Sequence, residues 1–364
     1  MSTDLFQPFK IGKMEIRNRF VRSATWDGSA DSSGAVTDQS VALYRELARG
    51  EIGLIVTGHA FVSSLGQAGP GQYGIHNDDM IPGLRRLTQT IHERGGKIAV
   101  QIANSGINSN YLADKGTTVL AVSNSPEAPR AHREMAGEEI EAVISQFAAA
   151  ARRAVAAGFD AVQLHGAHGY LMSQFLSPIT NQRRDRWGGS PENRRRFHVE
   201  VVKRVRKELG KNIPLLIKFG VLDDEEGGSP LQDGLEAARQ MAAAGLDAVE
   251  VSAGIGTFNQ APKSGEAENA YFRDRAAATK RAVVIPVACV AGIRSLEMAQ
   301  SIVDSGDADL ISMSRPLIRE PQLIARWRTD PTTPAKCVSC SRCFVFPRRG
   351  KPLQCGQDHR LSEG

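Results

Sequence analysis

A (β/α)8 barrel, an α/β fold, is what the sequence predicts, and three observations carry that prediction. A unit made of a helix-period stretch, a glycine and a short apolar run recurs along the chain. Its clearest copies are Ala157-Gly158-Phe159-Asp160-Ala161-Val162-Gln163-Leu164-His165 and Ala244-Gly245-Leu246-Asp247-Ala248-Val249-Glu250-Val251-Ser252, and Gly306 leads into 309–314 in the same way. In each, the glycine reads as a helix C-cap and the run after it as a strand. Eight such runs can be counted, and strict alternation of eight strands with helices is the pattern of a closed parallel barrel. The span from about 5 to 328 has the size such a barrel needs; a doubly wound open sheet is the structural runner-up.

The first strand is placed at 20–25 and the second at 53–58, joined by a helix over 38–49. A helix over 80–94 leads to strand 97–103, and one over 138–157 leads to strand 161–165. Helix 191–209 precedes strand 214–219, and helix 231–244 precedes strand 248–253. Strand 286–291, helix 295–304 and strand 310–314 complete the count. The runs are nearly continuously apolar, as strands buried on both faces should be. The expected organisation is a barrel over 1–330 followed by a cysteine-rich, metal-binding extension over 331–364.

Composition narrows the function classes. Of 364 residues, 41% are apolar, 23% charged and 6% aromatic, which is ordinary for a globular chain. No stretch approaches the roughly 20 apolar residues of a membrane span, and 1–10 lacks the charged and apolar regions of a secretory leader. A cytoplasmic protein with no membrane contact is expected. A net charge of +5 is too small over this length to indicate nucleic acid, and an anionic ligand explains it as well. Four of the five cysteines, Cys337, Cys340, Cys343 and Cys355, crowd together near the end, unlike those of a disulfide-stapled secreted chain. Cys289, inside strand seven, reads as packing.

The ligand site of such a barrel is built at the C-terminal ends of its strands. Here these ends are small and polar: Ser23-Ala24-Thr25, Thr57-Gly58-His59, Gln101 with 102–104, His165-Gly166-Ala167-His168-Gly169-Tyr170, Lys218, Ser252-Ala253-Gly254, Ala291-Gly292-Ile293-Arg294 and Ser314-Arg315-Pro316. Gly292, Arg294 and Arg315 stand on the last two strands, where backbone N–H groups and guanidinium groups converge on a phosphate. One arginine alone is equally well a solvated cation; the paired placement favours a phosphorylated cofactor or substrate. His165 and His168 with Tyr170 are either a zinc pair or two imidazole donors with a phenol acid. Zinc needs a third protein ligand, and no Cys, Asp or Glu stands at a strand end, so donors and acid are the better assignment.

The stretch His165-Gly-Ala-His-Gly-Tyr-Leu-Met-Ser-Gln-Phe-Leu-Ser-Pro-Ile-Thr-Asn-Gln-Arg-Arg-Asp-Arg-Trp-Gly-Gly-Ser-Pro-Glu-Asn-Arg194 resembles the signature of the old yellow enzyme family of flavin oxidoreductases. Leu5-Phe6-x-Pro8, Asn18-Arg19, Val100-Gln101 and Ser314-Arg315-Pro316-Leu317 support it, so the resemblance spans nearly the whole barrel. It implies one FMN at the strand ends, with hydride passing from NAD(P)H to an electron-poor alkene or carbonyl-activated substrate. It implies further that Thr25, with the backbone of Ser23 and Ala24, meets one flavin edge, that Gly58 lets the ring approach, and that Gln101 bonds the pyrimidine side. Lys218 falls near N1, and Ala291, Gly292, Ser314 and Arg315 hold the phosphate. By the same resemblance His165 and His168 polarise the substrate, and Tyr170 protonates its α carbon. Three departures stand out: Lys218 replaces the commoner Arg, Ser314 replaces Gly, and Ile102-Ala103-Asn104-Ser105-Gly106-Ile107 lacks the His and Arg of many members.

Cys337-x2-Cys340-x2-Cys343-x11-Cys355 is similar to the ligand run that follows the barrel in the 2,4-dienoyl-CoA reductase and trimethylamine dehydrogenase branch, where it holds a [4Fe–4S] cluster. Zn2+ with four thiolates is the alternative, and four reduced thiols in a basic tail is the bland one. Larger members of that branch continue into a second nucleotide-binding domain, whereas this sequence ends at Gly364. The run is therefore expected to be a port for an external electron carrier or a clamp on the last helix. Gly69-Pro70-Gly71-Gln72-Tyr73-Gly74 follows a loop and is a poor dinucleotide fingerprint. Asp223-Asp224-Glu225-Glu226 reads as a solvated loop, and Tyr271 and Phe272 stay unassigned in the loop over 254–275. The expected activity is an FMN ene-reductase or dienoyl reductase. An FMN/iron–sulfur dehydrogenase or demethylase, and a binding protein without turnover, are the alternatives; homo-oligomerisation stays open.

Overall fold

A computed structural model describes residues 3–125, 131–256 and 270–358. Eight parallel strands form its centre: β1 (Phe20–Arg22), β2 (Leu54–Val56), β3 (Ile98–Ala103), β4 (Ala161–Gly166), β5 (Leu215–Gly220), β6 (Ala248–Ser252), β7 (Val287–Val290) and β8 (Leu310–Met313). Each pairs with its neighbour in chain order, and β8 returns to β1 through Ile311 opposite Phe20, so the barrel is closed and no open-sheet edge remains in it. Around it lie α1 (Asp38–Ala48), α2 (Ile81–His92), α3 (Gly137–Ala156), α4 (Pro191–Leu209), α5 (Leu231–Ala243), α6 (Arg273–Ala282), α7 (Leu296–Asp304) and α8 (Leu323–Thr329). The repeat's glycines do what the pattern required. Gly158, Gly245 and Gly306 follow α3, α5 and α7 with φ of +87°, +111° and +73°, the left-handed geometry that ends a helix.

Residues on each strand alternate between two cores. Outward side chains such as Phe20, Ile55, Val162, Leu164, Ile217 and Val249 pack under the helices. Inward ones, including Val21, Val56, Ala99, Ala161, Leu216, Ala248 and Ala288, form a separate interior cluster. Alanines at four of these positions leave room near the strand N-termini. An antiparallel hairpin, Phe9–Ile11 with Met14–Ile16, fills it with Ile11, Met14 and Ile16, all buried. Its two-residue turn needs Gly12 at φ +56°. The bottom of the barrel is thus plugged, and the polar inward residues are confined to the other end.

Two expectations change. The strands 20–25, 53–58 and 286–291 are shorter than predicted; at the first and last, Ala24, Thr25 and Ala291 leave the ladder to line the mouth. Helix α6 falls partly within the predicted loop: its buried face is only Ala276, Ala277 and Thr279, which gives no apolar periodicity to read. The rest of that loop, 257–269, lies outside the described residues. Asp224 ion-pairs with Arg275 and Asp223 accepts from the Ser229 and Ile255 amides, whereas Glu225 and Glu226 are exposed, so only the first half of the acidic run is structural.

One core residue is out of keeping with its surroundings. His198 on α4 is buried between Phe197 and Phe219, and neither ring nitrogen has a hydrogen-bond partner. Burial holds its pKa down to about 3. Below an ordinary imidazole pKa of about 6.5 the unfolded chain takes up a proton that the folded chain refuses, so stability is lost as pH falls from there toward about 3. Replacing His198 with Leu is expected to recover about 2 kcal/mol at pH 5 relative to pH 8, read as a flatter acid limb of urea-unfolding midpoint against pH. An unchanged acid limb would show that this histidine does not limit acid stability.

Candidate active site

Above the apolar interior layer the inward positions turn polar, and they are tied together. Lys218 Nζ donates to Ser23 Oγ at 2.6 Å and lies 3.3 Å from Glu250 Oε1. Glu250 also accepts from Ser23 Oγ at 2.6 Å, Ser312 Oγ at 2.8 Å and Gln163 Nε2 at 2.8 Å; Gln101 Nε2 in turn donates to Gln163 Oε1 at 2.8 Å. Register explains the convergence: Lys218 sits opposite Glu250 on β6, and Gln163 opposite Gln101 on β3. Burial alone would raise the Glu250 carboxyl, but the Lys218 ammonium and then the three side-chain donors outweigh it and hold the group ionised.

Over this layer opens a cavity of about 1190 Å3 at the strand C-termini. Ser23, Ala24, Thr25, Gln101 and Lys218 line its inner wall, and Ala291, Gly292, Ser314 and Arg315 line it toward β7 and β8. Ala291 and Gly292 both have left-handed backbone, φ +76° and +78°, and Thr25 Oγ1 is 2.7 Å from Ser314 Oγ. Gly58 is the one expected cofactor residue outside this lining. A Cβ there would meet Asp27 Oδ2 and Thr25 O at 3.0 Å, so its smallness serves packing behind the wall.

His165, His168 and Tyr170 share the cavity. His168 and Gly169, at φ +59° and +71°, turn the chain back after β4 and bring the Tyr170 ring over His165, 4.4 Å between centroids. Gln174 and Asn108 both donate to the Gly169 carbonyl, at 2.6 and 2.7 Å, and hold that turn. His168 Nε2 lies 2.7 Å from Ser252 Oγ, whereas His165 Nδ1 is buried without a partner. Burial, then neighbouring cationic and imidazole groups including Lys218, depresses both histidines well below the usual range, so each is neutral. Burial raises the Tyr170 phenol above its ordinary value, so it keeps its proton. Among the described residues no group of three or more His, Cys, Asp or Glu is arranged to hold a metal ion.

The extension forms one side of the mouth. Arg294 donates to Cys337 O at 3.0 Å, Arg315 to Ser339 O at 3.2 Å and Arg319 to Lys336 O at 2.8 Å; the Leu353 amide donates to Asp27 O at 2.7 Å. Gly28, at φ +61°, is pressed so closely by Lys351 O and Pro347 that no side chain fits. Cys337, Cys340, Cys343 and Cys355 line one small cavity, and Arg315, Cys340, Ser341 and Gln357 line both it and the large one. Burial, and then the neighbouring Cys337 thiol, pushes Cys343 up to about 11.

Trp26, Glu250, Tyr271 and Phe272 also belong here, with His59 and Ser252, which the strand-end rule placed at the mouth without a role; all but Glu250 line the cavity. A lone acid or amide inside an apolar strand was the available signal for Glu250 and Gln163. Nothing in the sequence gave His59 a task beyond its place at a strand end.

A sequence profile of the NADH:flavin oxidoreductase / NADH oxidase family matches residues 4–332. The chain belongs to this family. With membership comes FMN as cofactor. It is 34% identical over 370 residues to the NADH oxidase of Thermoanaerobacter brockii, covering 96% of this chain and 56% of that protein. It is 35% identical over 324 residues to an NADPH dehydrogenase of Geobacillus sp. (strain WCH70), covering 88% of this chain and 92% of that one. The old yellow enzyme homologue from Zymomonas mobilis superposes with a TM-score of 0.76 at 27% identity, over 91% of this chain and 94% of that one. The chain spans about half the length of the longer relatives it matches. The Thermoanaerobacter alignment leaves too little unmatched to omit the extension; the Geobacillus alignment leaves enough to omit it. No helix among the described residues is long and apolar enough to cross a membrane.

Glu250 gives a direct test of the polar layer. Glu250→Gln leaves the Lys218 ammonium buried without a counter-charge and is expected to cost on the order of 3 kcal/mol in urea unfolding of the apoprotein. Adding Lys218→Met should restore most of that loss. A single variant as stable as the parent would mean that the pair contributes nothing.

Proposed function

We propose that this member of the NADH:flavin oxidoreductase family reduces activated C=C bonds, with Tyr170 as the proton donor. The observation that supports it is the set of neutral imidazoles and a protonated phenol stacked over the polar floor of one cavity. FMN suits the site: Lys218 supplies a buried cation in the wall, Arg315 and the left-handed Ala291-Gly292 turn supply phosphate partners, and Trp26 Nε1 and His165 Nδ1 are buried polar atoms without protein partners. When bound, FMN supplies a two-electron carrier between NAD(P)H and the alkene. Ser23, Ala24, Thr25, Gln101 and Lys218 would hold its ring, and Gly292, Ser314 and Arg315 its phosphate. His165 and His168 donate N–H hydrogen bonds to the carbonyl or nitro oxygen of the substrate and stabilise charge that develops there. Tyr170 gives its proton to the α carbon. The residues fit an acid better than a base, since the phenol is held protonated and the imidazoles are held neutral.

Tyr170→Phe is expected to slow single-turnover alkene reduction by roughly 100-fold or more and to leave flavin reduction by NAD(P)H unchanged in stopped flow. Equal losses in both half-reactions would refute the acid role.

A second reading keeps the four cysteines in the redox chemistry, as ligands of a [4Fe–4S] cluster serving a dehydrogenase that delivers electrons to an external carrier. Its support is the wall common to the cysteine cavity and the large cavity. Arg315 beside the thiols suits an anionic cluster. Zn2+ on the same four thiolates is the alternative occupant of that small cavity. Anaerobically purified protein should carry about four iron and four acid-labile sulfide per flavin, lost in Cys343→Ser. Zinc in place of iron would remove the relay.

A further inference from the structure

His59 follows β2 and is buried in the cavity wall, beside the groups that meet the substrate. Its Nε2 lies 2.9 Å from the Tyr170 hydroxyl, and the two rings stack with centroids 5.5 Å apart and planes 24° from parallel. Trp26 and His165 flank it at 5.9 and 6.0 Å. Its other nitrogen, Nδ1, is buried and meets no polar group of another residue, only the carbonyl of His59 itself in poor geometry. A ring N–H bonds better to the phenol oxygen 2.9 Å away than to a strained carbonyl of its own residue. We therefore place the proton on Nε2, where His59 donates to the Tyr170 oxygen. Burial holds its pKa down to about 4, which keeps the ring in this neutral form.

We infer that His59 is the positioning residue for proton delivery: its Nε2–H bonds the Tyr170 oxygen, turns the phenol O–H away from itself toward the substrate carbon, and steadies the phenolate. The inference rests on the reading of Tyr170 as the acid. In the step, the Tyr170 O–H bond breaks and a C–H bond forms at the α carbon, using the electron pair left there by hydride addition at the β carbon. The phenolate keeps the O–H electron pair, held by the Nε2–H donor, and takes a proton from water before the next turnover. His59 itself gains and loses nothing. A phenolate in a buried pocket without this donor is expensive, since a hydrogen bond to a charged oxygen is among the stronger ones.

The test is a double-mutant cycle in stopped flow on flavin-loaded protein. His59→Phe, which keeps the ring stack and removes the donor, is expected to slow alkene reduction roughly 10- to 100-fold and leave flavin reduction by NAD(P)H unchanged. His59→Gln, which restores an N–H, should regain part of the rate. In a Tyr170→Phe background, His59→Phe should add no further loss, because it acts through the phenol. Equal losses in both backgrounds would reduce His59 to a structural part and overturn the inference. Should Tyr170→Phe alone leave alkene reduction intact, the reading of Tyr170 fails instead. A readout without turnover is the tautomer: 15N-histidine spectra of the apoprotein should show His59 protonated at Nε2, with that signal moved by Tyr170→Phe. Protonation at Nδ1 would also overturn the inference.

Discussion

A carboxylate buried at the centre of a barrel must be answered by its neighbours, and much of this molecule's upper half follows from how Glu250 is answered. It draws a cation from β5, an amide from β4, and hydroxyls from the end of β1 and from β8. Through Gln163 the chain of bonds reaches Gln101 on β3. Six of the eight strands are thus referred to one charge. Because each bond also spends a lone pair or proton, the floor of the cavity is set before any ligand arrives, and Lys218 is held where a cation is wanted with little freedom to swing away.

The extension plays a comparable part at the rim. Among its described residues there is no strand, and its hold on the barrel comes from arginines that reach its carbonyls and from the backbone bond to Asp27. Arg315 illustrates the economy. The guanidinium that strand-end position predicts for a phosphate also fastens the cysteine-bearing loop, so occupancy of the large cavity and order in the extension share one side chain.

Much of this was legible in the sequence because the repeat carries its own punctuation. Short apolar runs, most of them following a glycine that closes a helix, located seven of the eight strands to within two residues at each end, and the strand-end rule then collected His165, His168, Tyr170, Lys218 and Arg315. The failures have particular causes. Helix α6 hides because alanine faces carry no period. The hairpin plug hides because three-residue strands are too short to alternate. Gly58, given to the cofactor by the family resemblance, stands outside the cavity lining, with Asp27 and Thr25 packed against it. His59 hides for the opposite reason: its meaning lies wholly in a contact with a residue 111 positions later, and no local pattern encodes that.

The closure between β1 and β8 has a consequence for when the site exists. Phe20 pairs with Ile311, and the hairpin that plugs the interior lies still earlier in the chain, so these segments wait for one made much later before they are paired on both sides. Contacts of such sequence separation form slowly. A nascent chain that has made β1 to β7 carries most of the cavity's residues yet lacks Ser312, Ser314, Arg315 and the extension, and with them the final ligands of Glu250 and the phosphate end of the pocket. The cavity is therefore complete only once β8 has joined β1, from segments far apart in the chain.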